Sequence, residues 1–419
     1  MTWKSTNTAK GDNKLYSDAK GVVPSLDLRF AEGKTLNDYM TGQNLITFSR
    51  PVGTNQSPGT YVDENGIIQL SSANQPRFDH DPTTGESLGL LVEESRTNLL
   101  RYSEHFDNAV WAQGGAAAMT VVSNATVAPD GTITADKFIR NAGATSGGRQ
   151  QLITPPSVGG VFSVFAKAGE ISTFNLQPSS SSAFQVTFDV STGTASSPGA
   201  SVTGYGIEEH QNGWYRCWVR AVLSSAYIAI ETVAPATGDG TSGIYIWGAQ
   251  LEAGSFPTSY IPTTGTALTR SADVASITGS NFSSWYNQSE GTIMIQSKSL
   301  DTVTNSQAVV SFGYADDLLR SSTSLGVRWS AGSGNSVVSN VSANPFKLAA
   351  AYVDGTELRS AGNGVLGTLD TSLNPKTNTS LSFGGQIGSG GSTNHSGTHS
   401  RLTYFPDRLE DSVLQAITQ

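Results

Sequence analysis

The sequence predicts an all-β protein: two tandem β-sandwich (jelly-roll) domains, preceded by a small N-terminal attachment or collar region and closed by one short C-terminal helix. Three observations carry this. Charged residues are 14% of the 419, against about 25% in a typical soluble domain, while 45 glycines and abundant serine and threonine supply turns. Short apolar runs alternate with period two, as half-buried strands do. Turn residues break those runs at intervals typical of a sandwich, and a chain of this length holds two or three cores.

Residues 1–25 are polar, too poor in large apolar side chains to fold alone, and read as a flexible attachment arm. Residues 26–100 read as a collar or adaptor. In LDLRF, Leu26, Leu28 and Phe30 alternate with Asp27 and Arg29. In TYVDENGII, Asn65-Gly66 is a strong hairpin signal between two apolar stretches. Residues 101–265 carry the clearest sandwich pattern. FQVTFDV places Phe184, Val186, Phe188 and Val190 on one face, and GWYRCWVR places Tyr215, Cys217 and Val219 opposite Trp214, Arg216, Trp218 and Arg220. Residues 271–419 read as a second sandwich. At its end, Leu409, Val413, Ala416 and Ile417 share a helical face, with Asp407 and Glu410 suited to a capping box.

Composition excludes several function classes. A net charge of −9 without a cluster of basic residues argues against nucleic acid. Cys217 is the only cysteine, which rules out an intrachain disulfide and a cysteine-built zinc site. The polar start has no apolar signal region, and no run approaches the roughly 20 residues of a membrane span. No cofactor is implied. GESLG (85–89) matches the nucleophile-elbow pattern around Ser87 but follows an Asp-Pro turn, and GNGVLG (362–367) opens no helix; both read as loops.

The segment IYIWGAQLEAGSFPTSYIPTTGTALTR (244–270) is one buried strand followed by a proline-studded connector. Its wording resembles a passage in virion proteins of tailed bacteriophages, where it closes one β-sandwich and leads to the next. RFDHDPTTGESLGLLVEESRTNLL (77–100) resembles the entry region of the same proteins. Residues 101–265 resemble carbohydrate-binding-module-like jelly rolls, and GTIMIQS, KLAAAYVDG and the C-terminal segment resemble concanavalin or laminin-G-like domains of phage fibres. The resemblance implies a non-enzymatic fibre or spike, a homotrimer, docked to a phage head or tail protein through its N-terminal region. Such a protein is made in the host cytoplasm, is exposed on the particle surface and binds host-surface glycan. A capsular polysaccharide depolymerase and a purely structural decoration protein are the alternatives.

Sugars stack on aromatic rings while polar side chains bond their hydroxyls. Trp214 and Trp218, with Arg216 between them, and Trp285 and Trp329 in the last domain are therefore the glycan-binding candidates. Core or interface burial is the competing reading for each. Asp79 and Asp81, with His80 and Glu86, and Asp316 with Asp317 are weak metal candidates. For the first group the favoured reading is an Asp-Pro turn whose carboxylates hydrogen-bond their own backbone. His395 and His399 are expected on an exposed loop. The acidic pairs Glu93-Glu94, Glu208-Glu209 and Asp316-Asp317 do not form a glycosidase acid and base, because adjacent strand residues face opposite ways.

Overall fold

The computed structural model describes residues 14–15, 17–114, 119–156, 159–178, 181–223, 227–233, 237–301, 307–313, 316–320, 324–329, 334–339, 343–375, 377–385 and 395–419. Strand accounts for 48% of the chain and helix for 8%, so the protein is all-β as predicted. Four large antiparallel sheets pair into two sandwiches.

The middle sandwich lies within residues 101–265. One six-stranded sheet centres on Gly243–Ala253, Gly160–Lys167 and Trp214–Ala221; the other centres on Thr173–Gln177, Tyr227–Thr232 and Gly148–Leu152. Period two governs the packing. Val186, Phe188, Cys217 and Val219 all point into one core with Phe162, Phe174 and Ile246.

The other sandwich is not confined to residues 271–419. Its eight-stranded sheet holds Glu290–Ser299 beside Gly397–Phe405. The far edge of Gly397–Phe405 is shared by Ser87–Val92, opposite residues 397–399, and Leu26–Leu28, opposite residues 402–404. In the facing seven-stranded sheet, Thr47–Ser49 pairs with Val274–Thr278. Leu26, Leu28, Leu90 and Val92 join Ile293, Leu348, Leu381 and Leu402 in a single core. The region 26–100, read from sequence as a collar, thus supplies strands to both sheets of the 271–419 sandwich, and the middle sandwich is inserted between the two halves. Apolar alternation marks a strand but does not say which distant strand it will pair with.

Other local expectations resolve in the same detail. The Asn65-Gly66 turn joins Thr60–Val62 to Ile68–Leu70, with Gly66 at φ 73 and the Asp63 carboxylate accepting from the amides of Asn65 and Ile67. Asn363 and Gly364, within GNGVLG, form the left-handed turn between Glu357–Gly362 and Val365–Asp370. The C-terminal helix is Asp411–Thr418, and its N-cap, Glu410, makes no side-chain capping bond, so the expected capping box is not formed. Val413, Leu414 and Ile417 bury that helix on the outer face of the eight-stranded sheet, against Met294, Ala349 and Phe405. Leu15 and Ala19 are buried in the same cluster, so this part of the expected arm is packed; residues 1–13 lie outside the described residues.

The halves of the split sandwich meet the insert at a buried ionic cluster. Arg50, Arg77 and Arg270 have fully buried side chains, as do Glu93 and Asp273. Asp273 takes Arg50 through Oδ1 at 2.7 Å and Arg77 through Oδ2 at 2.5 Å. Glu93 faces Arg77 at 2.8 Å and Arg270 at 3.4 Å, and it also accepts the amide and hydroxyl of Ser259, each at 2.7 Å. Gly59, at φ 78, lets the Arg270 stem pass: a Cβ there would lie 2.5 Å from Arg270 Cδ. Burial pushes the Glu93 carboxyl upward, but Arg270, Arg77 and the Ser259 hydrogen bonds outweigh it and hold it at about 2.

Two outcomes follow. A fragment of residues 271–419 alone lacks strands from both sheets and is expected to be unfolded by circular dichroism and amide dispersion. Glu93→Ala removes the carboxylate that faces the buried Arg270 and leaves Arg77 with Asp273 alone, and it should lower the unfolding free energy by about 3–5 kcal/mol. Because Glu93 titrates lower in the folded protein than in the unfolded chain, its contribution is complete above the ordinary glutamate range. It is lost as pH falls toward 2, so urea midpoints of wild type and Glu93→Gln should converge on acidification.

Candidate functional site

The tryptophans singled out in the sequence are mostly packed away. Trp214 does alternate with the core-facing residues of its strand, but a second layer covers that face. Its ring is 1% exposed in a cluster with Phe165, Trp247, Tyr260 and Ile68, and its Nε1 donates to the Val127 carbonyl at 3.1 Å. Arg216 is buried over the Phe165 ring, with a guanidinium hydrogen bond to Ser163. Trp218 is half-buried and lies against Gly206, where a Cβ would fall 2.6 Å from its Nε1. Trp285 is 5% exposed and packs edge-on against Phe282 and Tyr404. The backbone of Trp329 pairs with Gly334, while its side chain lies outside the described residues, as does that of Asp316. Trp214 and Trp285 therefore offer no open face to a sugar.

The metal candidates are occupied by their own protein. Asp79 accepts from the Val62 amide at 2.7 Å, and burial pushes its carboxyl up to about 6. Asp81 closes the Asp-Pro turn. Burial raises its carboxyl, but hydrogen bonds from Thr83 and Thr84 bring it down to about 2. Asp317 is buried between the Ser311 hydroxyl, at 2.6 Å, and the Arg328 guanidinium. Among the described residues, no three histidine, cysteine, aspartate or glutamate side chains gather as metal ligands. His395 and His399 are buried, contrary to the exposed loop expected. They hydrogen-bond Ser299 and Ser297, with rings 5.5 Å apart, and burial pushes His399 down to about 3. A strand at residues 397–405, unforeseen at this end of the segment, carries His399 into the core. Ser87 opens a strand that runs on to Val92, where an elbow requires a helix. Glu93 is committed to the arginine cluster while Glu94 pairs with Arg96, so those two do not face a common substrate.

The open chemistry lies elsewhere, on the loop after the first strand. Asp38 is buried, and its carboxylate accepts from the amides of Asp27, Met40 and Thr41 and from the Thr41 hydroxyl at 2.7 Å. The Tyr39 amide donates to the Asp27 carbonyl at 2.8 Å, and Gly42, at φ 73, completes the turn. This wiring holds the loop to the strand and leaves Tyr39 projecting, 58% exposed. The Arg29 guanidinium lies 3.3 Å from the Tyr39 ring centroid, a close cation–π contact that fixes the ring's orientation.

Arg29 is itself anchored. Its Nε donates to Asp27 at 2.7 Å, and Asp27 also takes Arg401 through both oxygens, at 2.8 and 2.7 Å, and the Thr403 hydroxyl at 3.0 Å. Burial alone would raise the Asp27 carboxyl; the charges and hydrogen bonds of Arg401 and Arg29 outweigh it and hold it below the usual range. Around Tyr39 opens a half-open cavity of about 400 Å³ lined also by Arg29, Glu32, Thr35, Asn37 and Asp38. A smaller neighbour of about 280 Å³, lined by Lys34, Tyr61, Glu64, Phe78 and His80 among others, lies alongside. The Lys34–Glu64 ion pair, at 2.6 Å, lines that neighbour next to Gly33 and Thr35 of the first cavity. Sequence reasoning missed Tyr39; the available signal was a lone aromatic within the polar run TLNDYMTGQN.

No protein-family model matches the chain, and no curated protein matches it. Among solved structures it is similar to the CBM40 domain of the Ruminococcus gnavus IT-sialidase bound to α2,3-sialyllactose, at 18% identity, with 32% of this chain and 83% of that one covered and a TM-score of 0.28. It is also similar to the NanB sialidase from Streptococcus pneumoniae, at 14% identity, 33% and 26% coverage and a TM-score of 0.27. The receptor-binding domain of botulinum neurotoxin C/D mosaic serotype aligns at 10% identity, 35% and 40% coverage and 0.27. Each overlap covers about a third of this chain.

Two substitutions separate core from site. Trp285→Ala is expected to cost about 3–5 kcal/mol of stability, as large aromatic deletions in cores do. Tyr39→Ala should cost less than about 1 kcal/mol, the scale of its contact with Arg29. Urea unfolding of both variants checks the contrast.

Proposed function

We propose that this chain is a non-enzymatic adhesive component of a tailed-phage virion, a fibre or spike that holds host-surface glycan in the Tyr39 cavity. The observation that carries the binding role is the Tyr39 ring itself. It is exposed, oriented by Arg29, set on a loop pinned by Asp38, and flanked by the polar groups of Glu32, Thr35 and Asn37. An aromatic platform beside groups that bond hydroxyls is what a sugar needs, and a pre-formed loop lowers the entropy cost of binding.

The virion assignment is supported by the resemblance of residues 77–100 and 244–270 to phage virion proteins. In this protein those two segments meet. Asn98 donates to the carbonyls of Ala249 and Ile261 and accepts from the Leu251 amide; Thr97 and Thr269 share a hydroxyl hydrogen bond at 2.8 Å. On this reading three copies assemble, the N-terminal region docks to a head or tail protein, and the protein is displayed on the particle.

The test uses the full chain on a glycan array, followed by sizing of each bound glycan. Retention of glycan with unchanged length is expected, and Tyr39→Ala should weaken binding by about 1–3 kcal/mol, on the scale known for stacking on aromatic side chains. Shortened glycan would establish a depolymerase, and no retention would leave a decoration protein. Light scattering should give three times 43.9 kDa; a monomer would overturn the fibre assembly.

A further inference from the structure

We propose that the Tyr39 cavity selects neutral or amino sugars and turns acidic sugars away; this rests on the glycan-binding reading above. Acidic sugars are ordinarily read by a free guanidinium, which matches a carboxylate or sulfate with two parallel hydrogen bonds. The one guanidinium among the described lining residues is already engaged. Arg29 is 4% exposed, its Nε is committed to Asp27, its Nη1 lies 3.6 Å from Glu32, and its face carries Tyr39.

The charge at the mouth has the opposite sign. Glu32 is 61% exposed and, among the described residues, faces Arg29 at a long 3.6 Å, so its carboxylate can accept from incoming groups. Asp38 adds a second carboxylate to the lining, its oxygens filled by the loop's own amides and hydroxyl. Below them Asp27 offsets Arg401. To the side, the Lys34 ammonium is paired with Glu64. An acidic sugar seated on Tyr39 would bring its anion toward Glu32, while the nearby cations among the described residues, Arg29 and Lys34, already face Asp27 and Glu64, and like-charge juxtaposition disfavours such a partner. A sugar hydroxyl or ammonium instead finds an acceptor in Glu32, and the exposed Asn37 amide offers both a donor and an acceptor.

The experiment compares wild type, Tyr39→Ala and Glu32→Gln, each as the full chain, on an array carrying neutral, amino, sialylated, uronic and sulfated glycans. Lactose, chitotriose and 3′-sialyllactose are then titrated in solution. The expected result is that the glycans lost with Tyr39→Ala are neutral or amino sugars, with sialyllactose at least about tenfold weaker than lactose or chitotriose. Glu32→Gln should narrow that gap while the melting temperature stays unchanged. Tyr39-dependent binding of acidic glycans at equal or greater strength overturns the selectivity and leaves glycan binding standing. Glycan binding that is indifferent to Tyr39 overturns the site. No binding to any glycan defeats the adhesive reading itself, and this inference with it.

Discussion

Three arginines and two carboxylates sealed from water govern how this chain closes. Removing such charges from solvent costs several kcal/mol per ion, and only close geometry with further hydrogen bonds offsets it. Arg50 shows the cost being met: besides Asp273, it donates to the carbonyls of Pro58, Ser72 and Gln75 and to the Ser71 hydroxyl. The partners come from several stretches of chain. Arg77 and Glu93 bring the eight-stranded sheet, Arg50 and Asp273 the seven-stranded sheet, Ser259 the connector leaving the insert, and Arg270 the small sheet beyond it. A sandwich whose halves lie nearly two hundred residues apart has many wrong registers open to it. A cluster that is satisfied in one arrangement alone penalises the others.

Local structure was legible in the sequence because its physics is local. Phe184 to Val190 bury every second side chain as read, Asn65-Gly66 makes its hairpin, and the C-terminal apolar stripe makes its helix. What was hidden depends on partners remote in sequence. Asp27 and Arg29 alternate with leucines like an outward, solvated face, yet both are buried because Arg401 and Thr403 arrive on the neighbouring strand. Trp214 was correctly placed away from its own core, but alternation cannot tell a face that meets water from one covered by Tyr260 and the 60–70 hairpin. Tyr39 escaped notice for the converse reason. A ring becomes a platform through what lies beneath it, and Arg29 stands ten residues upstream in a segment read only as strand.

The connector from Phe256 to Thr263 shows why a segment with no regular structure can be so particular in wording. Thr258 satisfies Glu252 through amide and hydroxyl, Ile261 donates to Gln250, Tyr260 bonds Ser103 and Glu104, and the Thr263 amide donates to Ser103. Nearly every polar residue answers a buried group on the strand Gly243–Ala253 or on the residues just after Asn98. Buried irregular backbone is tolerable only on such terms. The wording therefore records architecture, while the exposed Tyr39 stands on the Arg29–Gly42 loop of the other sandwich.

The chain enters the middle sandwich at Arg96–Asn98 and leaves it at Leu268–Arg270, and these two strands lie side by side, Asn98 opposite Leu268. Entrance and exit thus form one doorway a single strand spacing wide. A module whose own ends sit that close together can be inserted without breaking the pairing of the host's strands, while Ser259 on Glu93 and the packing of Ile68 against Trp214 couple it to the host. The inserted sandwich is in this sense a cassette with a fitted seam, and the cavity at Tyr39, lined by host residues, lies outside it.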